Sequence, residues 1–159
     1  MTRLTLDNES EIFFYEQEFY VFSNFSSFQI VHGGHKFPTS EHMYHWKRFQ
    51  LASSGGASDI AQRILKARSA HDAFKMAQEY KHLQYENWDL VKVAEMKKIL
   101  KLKVEQHDYV KQKLLESKGR VLIENSWRDS VWGWGPDRDG QNLLGKLWME
   151  IRQEIMKDK

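Results

Sequence analysis

The 159-residue chain has no cysteine, only two prolines, and no apolar run near its start. The absence of cysteine excludes disulfide bonds, thiolate nucleophiles and cysteine-bound zinc, and it favours an intracellular, cytoplasmic location. The opening residues MTRLTLDNESE are too polar for a signal peptide or a membrane anchor, so we expect no membrane partner. With 24 basic and 22 acidic residues, the net charge of +2 gives no argument for nucleic-acid binding, but it allows a small anionic ligand.

Tryptophan, by contrast, is abundant, with six in the chain. Trp127, Trp132 and Trp134 lie within eight positions of one another. Such a cluster is either part of a core or an aromatic pocket for a flat ligand, and composition does not choose between the two. The length predicts one domain over residues 1–159, large enough to bury a core.

Hydrophobic periodicity predicts short strands near the N-terminus and helices over most of the rest of the chain. Residues 12–15 read as a strand, and residues 19–28 as an irregular loop. A hairpin over 28–37 turns at Gly33-Gly34. The remaining predicted elements are helices at 58–67, 69–78, 88–105, 107–117 and 141–157, and a strand at 121–124. The helix at 88–105 is apolar on two sides, which predicts that it is the central helix.

One further helix is predicted within Phe37–Phe49, written FPTSEHMYHWKRF. We expect Ser40 to be its N-cap, which places Glu41 in the first turn, where the helix dipole favours an ionised carboxylate. At 100° per residue, Glu41, His45 and Arg48 share one face, with Tyr44 at its edge. Glu41 either complements the dipole or acts in catalysis, and the polar company on its face favours catalysis.

The segment 125–145 has no period and is rich in Gly, Asp, Asn and Trp, which is typical of a functional loop. We expect Asp137 and Asp139 to form Asx turns with their own backbone. Asp129 stands between tryptophans, where partial desolvation can tune a carboxylate for acid or base work. The free N–H groups after Gly140 are only a weak phosphate signal, because no dinucleotide or Walker fingerprint surrounds them.

The histidines at 32 and 35, and at 42 and 45, have a spacing that could serve a metal site. A zinc site needs three or four supported ligands, and the chain has neither cysteine nor an HExxH pattern. We therefore expect hydrogen-bonded or surface histidines, and we predict neither a metal nor an organic cofactor.

Four pieces of the sequence, in order over some 120 residues, resemble the NADAR family of YbiA-like N-glycosidases. They are Phe22-Ser23-Asn24-Phe25; PTSEH at 38–42 with Tyr44 and Phe49; Trp88-Asp89-Leu90-Val91-Lys92 with Met96; and Trp132-Gly133 followed by Asn142, Leu144 and Gly145. The resemblance implies a single compact domain of α+β class, mainly α-helical, with a small N-terminal β-hairpin or sheet. It also implies hydrolysis of an N-glycosidic bond to a ribose phosphate, without a metal.

By this resemblance the substrate is a ribosylamino-pyrimidine 5′-phosphate of riboflavin biosynthesis. Other branches imply an ADP-ribosyl hydrolase, for which nucleic acid is a partner only as an ADP-ribosylated substrate. A third alternative is a non-catalytic module that binds ADP-ribose or a nucleotide. The partner expected first is a small ribosyl phosphate.

The resemblance assigns Glu41 and Asp129 as the catalytic pair. The residues that it implies for substrate binding are Phe22, Asn24, Tyr44, Arg48, Trp88, Trp132 and Asn142. Trp88 or Trp132 would stack on the base, and Arg48 would hold the phosphate. The chain departs from the family pattern at Arg48, where relatives usually have lysine, and at Pro136 and Arg138, where they have glycines.

Overall fold

A computed structural model describes residues 6–158 and shows a mainly α-helical α+β fold with two small sheets. The chain forms two compact units, Met1–Ser23 with His107–Lys159 and Asn24–Gln106. The single domain expected over residues 1–159 stays a prediction. Across residues 6–158, no helix has the length and apolar character needed to cross a membrane.

In the unit that contains both chain ends, strand β1 (Glu11–Phe14) pairs in parallel with β4 (Val121–Glu124), so both predicted strands are confirmed. Ile12, Phe14 and Leu122 are fully buried, as expected when alternate side chains of a strand point into the core. The predicted irregular loop at 19–28 is wrong in its first part, because a 3-10 helix runs from Gln17 to Phe22.

Helices α5 (Asp108–Glu116) and α6 (Leu143–Lys157) complete this unit. Helix α6 begins two residues later than predicted, because Asn142 adopts a left-handed φ of 51°. Gly145 allows α6 to approach the strand backbone closely, since a Cβ there would lie 2.0 Å from the Leu122 carbonyl oxygen. The apolar residues at helical spacing along α6 are expected to point inward, and Leu144, Leu147, Trp148 and Ile151 are buried, whereas Ile155 is half-buried.

The unit Asn24–Gln106 begins with the predicted hairpin of β2 (Ile30–His32) and β3 (His35–Phe37), which is confirmed. Gly33 and Gly34 turn it with φ of 57° and 80°, values that glycine adopts without a steric penalty. Four helices and one short 3-10 helix follow: α1 (Ser40–Gln50), α2 (Ala57–Leu65), α3 (Ala70–Glu79), the 3-10 helix Lys81–Leu83 and α4 (Trp88–Gln106).

Helix α1, and not α4 as predicted, is the central helix of this unit. It packs against α2, α3, α4 and β3, and all its residues except Lys47 and Gln50 are buried. Hydrophobic periodicity favoured α4 because α4 is apolar on two sides. It missed α1 because one buried face of α1 is polar, and the side chains of that face form hydrogen bonds with one another. Phe74 of α3 has the helical spacing of an inward-pointing residue, but it is exposed.

Candidate active site

Helix α1 begins one residue earlier than predicted. Thr39 is the N-cap, with an extended backbone and a side-chain oxygen that accepts a hydrogen bond from the His42 amide at 3.1 Å. Ser40 was expected to cap, but it is the first helical residue because its hydroxyl bonds elsewhere. Glu41 therefore stays in the first turn, where unpaired N–H groups favour a carboxylate.

Asn24 fixes the start of this helix from the preceding loop. Its side-chain oxygen accepts the Ser40 hydroxyl at 2.9 Å, and its backbone carbonyl accepts the Glu41 amide at 3.0 Å. Asn24 is buried, with its Nδ2 group 3.6 Å from the Met96 sulfur. These contacts show that Asn24 helps to position Glu41. Its predicted contact with the substrate stays a prediction.

The predicted polar face of α1 is a continuous hydrogen-bonded chain. His45 Nε2 lies 2.5 Å from Glu41 Oε1, and Arg48 Nη1 lies 2.9 Å from His45 Nδ1. Arg48 also donates through Nε and Nη2 to Gln84 Oε1, at 2.9 and 2.7 Å. The side chain of Glu41 is 11% exposed and that of His45 is 3% exposed, so this series of hydrogen-bonded side chains is nearly enclosed.

The direction of each hydrogen bond fixes the tautomer of His45. A guanidinium only donates, so His45 Nδ1 must offer its lone pair to Arg48. The ring proton is then on Nε2, which donates it to Glu41 Oε1. Among residues 6–158, no hydrogen-bond partner reaches the second oxygen, Glu41 Oε2. The carboxylate is thus held by one oxygen, and the other is available to a ligand.

Arg48 is 6% exposed, which bears on its predicted contact with phosphate. Burial lowers the pKa of its guanidinium from the ordinary value, an effect that the nearby Tyr44 and Glu41 oppose. Three of its five N–H donors are used by His45 and Gln84. A phosphate could reach only the remaining Nη protons, so this contact stays a prediction and the observed role of Arg48 is to hold His45.

Aromatic rings lie next to these hydrogen-bonded side chains. The Tyr44 ring lies 5.1 Å from the His45 ring and 5.2 Å from the Trp88 ring, measured between centroids. Trp88 is 3% exposed, which leaves little of its surface for the predicted stacking on a base. Phe74, which is 38% exposed, places its ring 5.9 Å from that of His45. Phe74 is therefore the more accessible aromatic surface beside His45.

His42 belongs to a separate contact at the same end of α1. Its Nε2 donates to the Ala67 carbonyl at 3.0 Å, and its Nδ1 lies 2.8 Å from the Thr39 hydroxyl. Burial lowers the pKa of the His42 imidazole, so this ring is favoured in its neutral form. Within residues 6–158, no three histidine or carboxylate side chains cluster closely enough to hold a metal ion.

The predicted residues of the late loop belong to the other unit. Asp129 Oδ1 accepts the amides of Val131 and Trp132, both at 2.9 Å, which is the Asx-type turn that was expected of Asp137 and Asp139. Proton transfer by Asp129 would therefore use Oδ2. Trp132 is partly exposed, so its ring has surface for a ligand, and its predicted contact stays a prediction.

Phe22 and Asn142 have evident structural roles in that unit. Phe22 is fully buried and contacts the rings of Phe14, Phe19 and Trp148. The Asn142 amide accepts from the Glu124 amide and donates to the Leu122 carbonyl, each at 2.9 Å. Their substrate contacts stay predictions, and Phe22 has no exposed surface through which to make one.

Sequence reasoning missed Gln84 and the exposure of Phe74. Gln84 lies 36 positions from Arg48 in a segment without periodicity, so no local pattern marks it. Nor does any local pattern mark Lys103, which is fully buried, donates to the Ser26 hydroxyl at 3.0 Å and lies 5.5 Å from the Phe28 ring. Burial lowers the pKa of Lys103 to about 7.

The chain is similar over most of its length to proteins of one family. The NADAR domain model matches residues 13–156 of the chain. A riboflavin biosynthesis protein of Vibrio vulnificus (strain YJ016) is 31% identical over 149 residues, which cover 92% of this chain but only 39% of that protein. The N-glycosidase YbiA of Escherichia coli (strain K12) is 32% identical over 138 residues, covering 87% of this chain and 82% of YbiA.

The fold is also that of a solved structure. The NMR structure of E. coli YbiA superposes with a TM-score of 0.82 at 29% identity, covering 97% of this chain and 89% of YbiA. This agreement confirms the predicted YbiA-like α+β fold.

Proposed function

The chain belongs to the NADAR family of YbiA-like N-glycosidases, and from that premise we propose that it hydrolyses the C1–N bond of a ribosylamino-pyrimidine 5′-phosphate. The N-glycosidase YbiA and the riboflavin biosynthesis protein of V. vulnificus support this substrate class, although the chain spans only 39% of the Vibrio protein. The products would be ribose 5-phosphate and the free aminopyrimidine.

The observation that carries the proposal is that the Glu41 carboxylate is nearly buried and held in place by one of its two oxygens. Its Oε1 is fixed by His45 Nε2 at 2.5 Å, and its side chain keeps 11% exposure. A carboxylate held in this way cannot rotate away from a ligand, and its charge is little screened in a nearly enclosed site. It therefore suits a reaction that builds positive charge on a sugar.

The reaction proceeds by loss of the nitrogen and addition of water. The C1–N bond breaks with its electron pair passing to nitrogen, which leaves positive charge on C1 and the ring oxygen. Glu41 Oε2 stabilises this charge and accepts a proton from water as the water oxygen bonds to C1. The leaving nitrogen gains a proton, so one water molecule is consumed and atoms balance.

The remaining site predictions enter as parts of this proposal. Asp129 is assigned to deliver the proton to the leaving nitrogen through Oδ2, the oxygen that its turn leaves available. Trp132 is assigned to contact the flat pyrimidine, for which its partly exposed ring is suited. Asn24, Tyr44 and Arg48 act on the substrate through the pose of Glu41 and His45.

The test is a substrate panel with the wild-type protein and the Glu41→Gln variant. The panel contains a ribosylamino-pyrimidine 5′-phosphate, an oligonucleotide that carries ADP-ribose on a base, and NAD, with release of free base or sugar measured by chromatography. We expect turnover of the pyrimidine, and in Glu41→Gln a rate lower by roughly 100- to 1,000-fold, the loss typical of one electrostatic stabiliser.

Glu95→Gln is the matched control, because Glu95 is an ion-paired carboxylate of α4, 3.2 Å from Lys47, with no part in the chain at Glu41. Full activity in Glu41→Gln would refute the role of this carboxylate. Turnover of only the ADP-ribosylated oligonucleotide would favour the hydrolase of modified nucleic acid. Binding of ADP-ribose without release of any base would favour the non-catalytic module.

A further inference from the structure

A groove of about 670 Å³ lies in the unit that contains both chain ends, between the end of α5, the following turn and the C-terminal half of α6. Its volume falls within the range of small-molecule sites in proteins. No predicted catalytic or substrate-binding residue lines it. Any ligand that binds in this groove is therefore independent of the N-glycosidase proposal.

The residues that line the groove include a buried arginine whose guanidinium has no acidic partner among residues 6–158. Arg152 is 8% exposed, and its Nη1 donates to the Ser117 hydroxyl at 2.9 Å. Within residues 6–158, no carboxylate forms an ion pair with Arg152. A buried cation is normally paired, because removing a charge from water is costly without a counter-charge.

A second cation makes this arrangement less favourable still. The pKa of Arg152 is lowered first by burial and then by the positive charge of Arg120. Among the described residues, Arg120 donates to the backbone carbonyls of Ser117 and Asn8 at 3.4 and 3.3 Å. Arg120 also places its guanidinium carbon 5.2 Å from the centre of the Phe19 ring. Neutral oxygens and this aromatic ring thus contact the two guanidinium groups, and neither contact supplies a negative charge.

The rim and walls of the groove indicate which anion would fit. Lys118 and Lys157 line it and add two exposed ammonium groups to the charge of Arg152. The side chains of Leu115, Met149 and Met156 supply an apolar wall beside them. A guanidinium with flanking lysines suits a phosphate group, and the adaptable methionine side chains suit a flat apolar body.

We propose that this groove binds a phosphate monoester of mononucleotide size, with the phosphate on Arg152 between Lys118 and Lys157 and the base against the two methionines. The bound phosphate supplies the negative charge that the Arg152 and Arg120 pair lacks. A long nucleic-acid footprint is disfavoured, because the net charge of the chain is only +2.

The probes are adenosine 5′-monophosphate, inorganic pyrophosphate and adenosine, each titrated into the full-length protein by calorimetry and followed by thermal unfolding. We expect the monophosphate to bind best, pyrophosphate more weakly and adenosine least. Because a ligand that binds only the folded state stabilises it, the unfolding temperature should rise with monophosphate concentration. Peak shifts in the NMR spectrum should include the amides of Gly119 and Met156.

Lys157→Met and Lys146→Met form a matched pair, since both remove one exposed charge from α6 but only Lys157 lines the groove. We expect Lys157→Met to weaken binding about tenfold and Lys146→Met to leave it unchanged, one charge-assisted hydrogen bond being the difference. Arg152→Gln should weaken binding by about 100-fold, because it removes the buried charge that pairs with the phosphate. If Arg152→Gln does not fold, the double variant of Lys118 and Lys157 to Met replaces it.

Equal weakening by Lys157→Met and Lys146→Met would show general charge attraction and overturn the proposal. So would the absence of binding at millimolar monophosphate, or binding that is unaffected by Arg152→Gln and by the double variant. Loss of glycosidase activity in Glu41→Gln leaves this outcome unaltered, so the two proposals fail separately.

Discussion

Replacing Arg48 by lysine decides whether this residue positions His45 or holds the substrate phosphate. Lysine keeps the positive charge and is the residue that the family resemblance puts at this position in relatives. Its single ammonium cannot reproduce the planar fork that reaches both His45 Nδ1 at 2.9 Å and Gln84 Oε1 at 2.7 Å. The variant therefore separates charge from geometry.

The expected magnitude follows from the contact that is lost. A hydrogen bond to a charged group is worth about 1.5–3 kcal/mol, and each 1.36 kcal/mol is a factor of ten in rate. Without the Arg48 donor, the His45 ring can carry its proton on Nδ1 and turn a lone pair toward Glu41. If this loss is felt in the transition state, kcat falls roughly 10- to 100-fold while KM stays within about twofold.

The assay is initial-rate kinetics for release of ribose 5-phosphate from the ribosylamino-pyrimidine substrate, with thermal unfolding as a check on folding. Lys47→Met is the matched control, because this neighbouring cation pairs with Glu95 at 3.2 Å and lies outside the chain of hydrogen bonds at Glu41. A rise in KM with kcat preserved would mean that Arg48 holds phosphate. Unchanged kcat and KM would refute both roles.

Three further predictions concern stability. Glu41→Ala should lower the free energy of unfolding in urea by about 1–3 kcal/mol more than Glu41→Gln does, because alanine leaves the buried Nε2–H of His45 without its acceptor. Gly145→Ala should destabilise the fold by about 3 kcal/mol or more, since its Cβ would meet a carbonyl oxygen at 2.0 Å. The folded pKa of Lys103, about 7, lies below its ordinary 10.5, so the unfolded chain binds more protons between these values and stability rises with pH. From pH 7 to 9.5 this gain is about 3 kcal/mol, and Lys103→Met should abolish it.

Each of these has a contradicting outcome. Equal losses in the two Glu41 variants would mean that the contact with His45 contributes nothing to folding. For Gly145 the comparison is Gly119→Ala, since a Cβ at Gly119 meets no atom within 4 Å, and similar losses at both positions would contradict the close approach. A Lys103→Met variant with the wild-type pH dependence would show that the buried amine does not titrate in this range.

The candidate site shows where sequence reasoning succeeds and where it fails. The 100° rotation per residue is a local property, so it correctly places Glu41, His45 and Arg48 on one face of α1. Gln84, which holds Arg48, is set by the packing of a distant segment and carries no local signal. The cap at Thr39 was missed by one residue because Asn24, 16 positions earlier, takes the Ser40 hydroxyl.

Burial was predicted least well for polar residues, since hydrophobic periodicity counts polar positions as exposed. Lys103 and the polar face of α1 are buried because other side chains in the fold satisfy them. The opposite error occurred at Phe74, because its helical spacing on α3 predicts an inward-pointing side chain, whereas it is exposed beside His45.

Periodicity and short motifs are enough to establish the order and type of nearly all helices and strands, the family, and the face of α1 that carries the acid. Three properties emerge only from the folded chain: α1 is central in its unit, His45 carries its proton toward Glu41, and Arg152 lies buried with no carboxylate partner in the described part of the chain. These properties depend on hydrogen bonds and charges between residues far apart in the chain, and no local pattern encodes such partners.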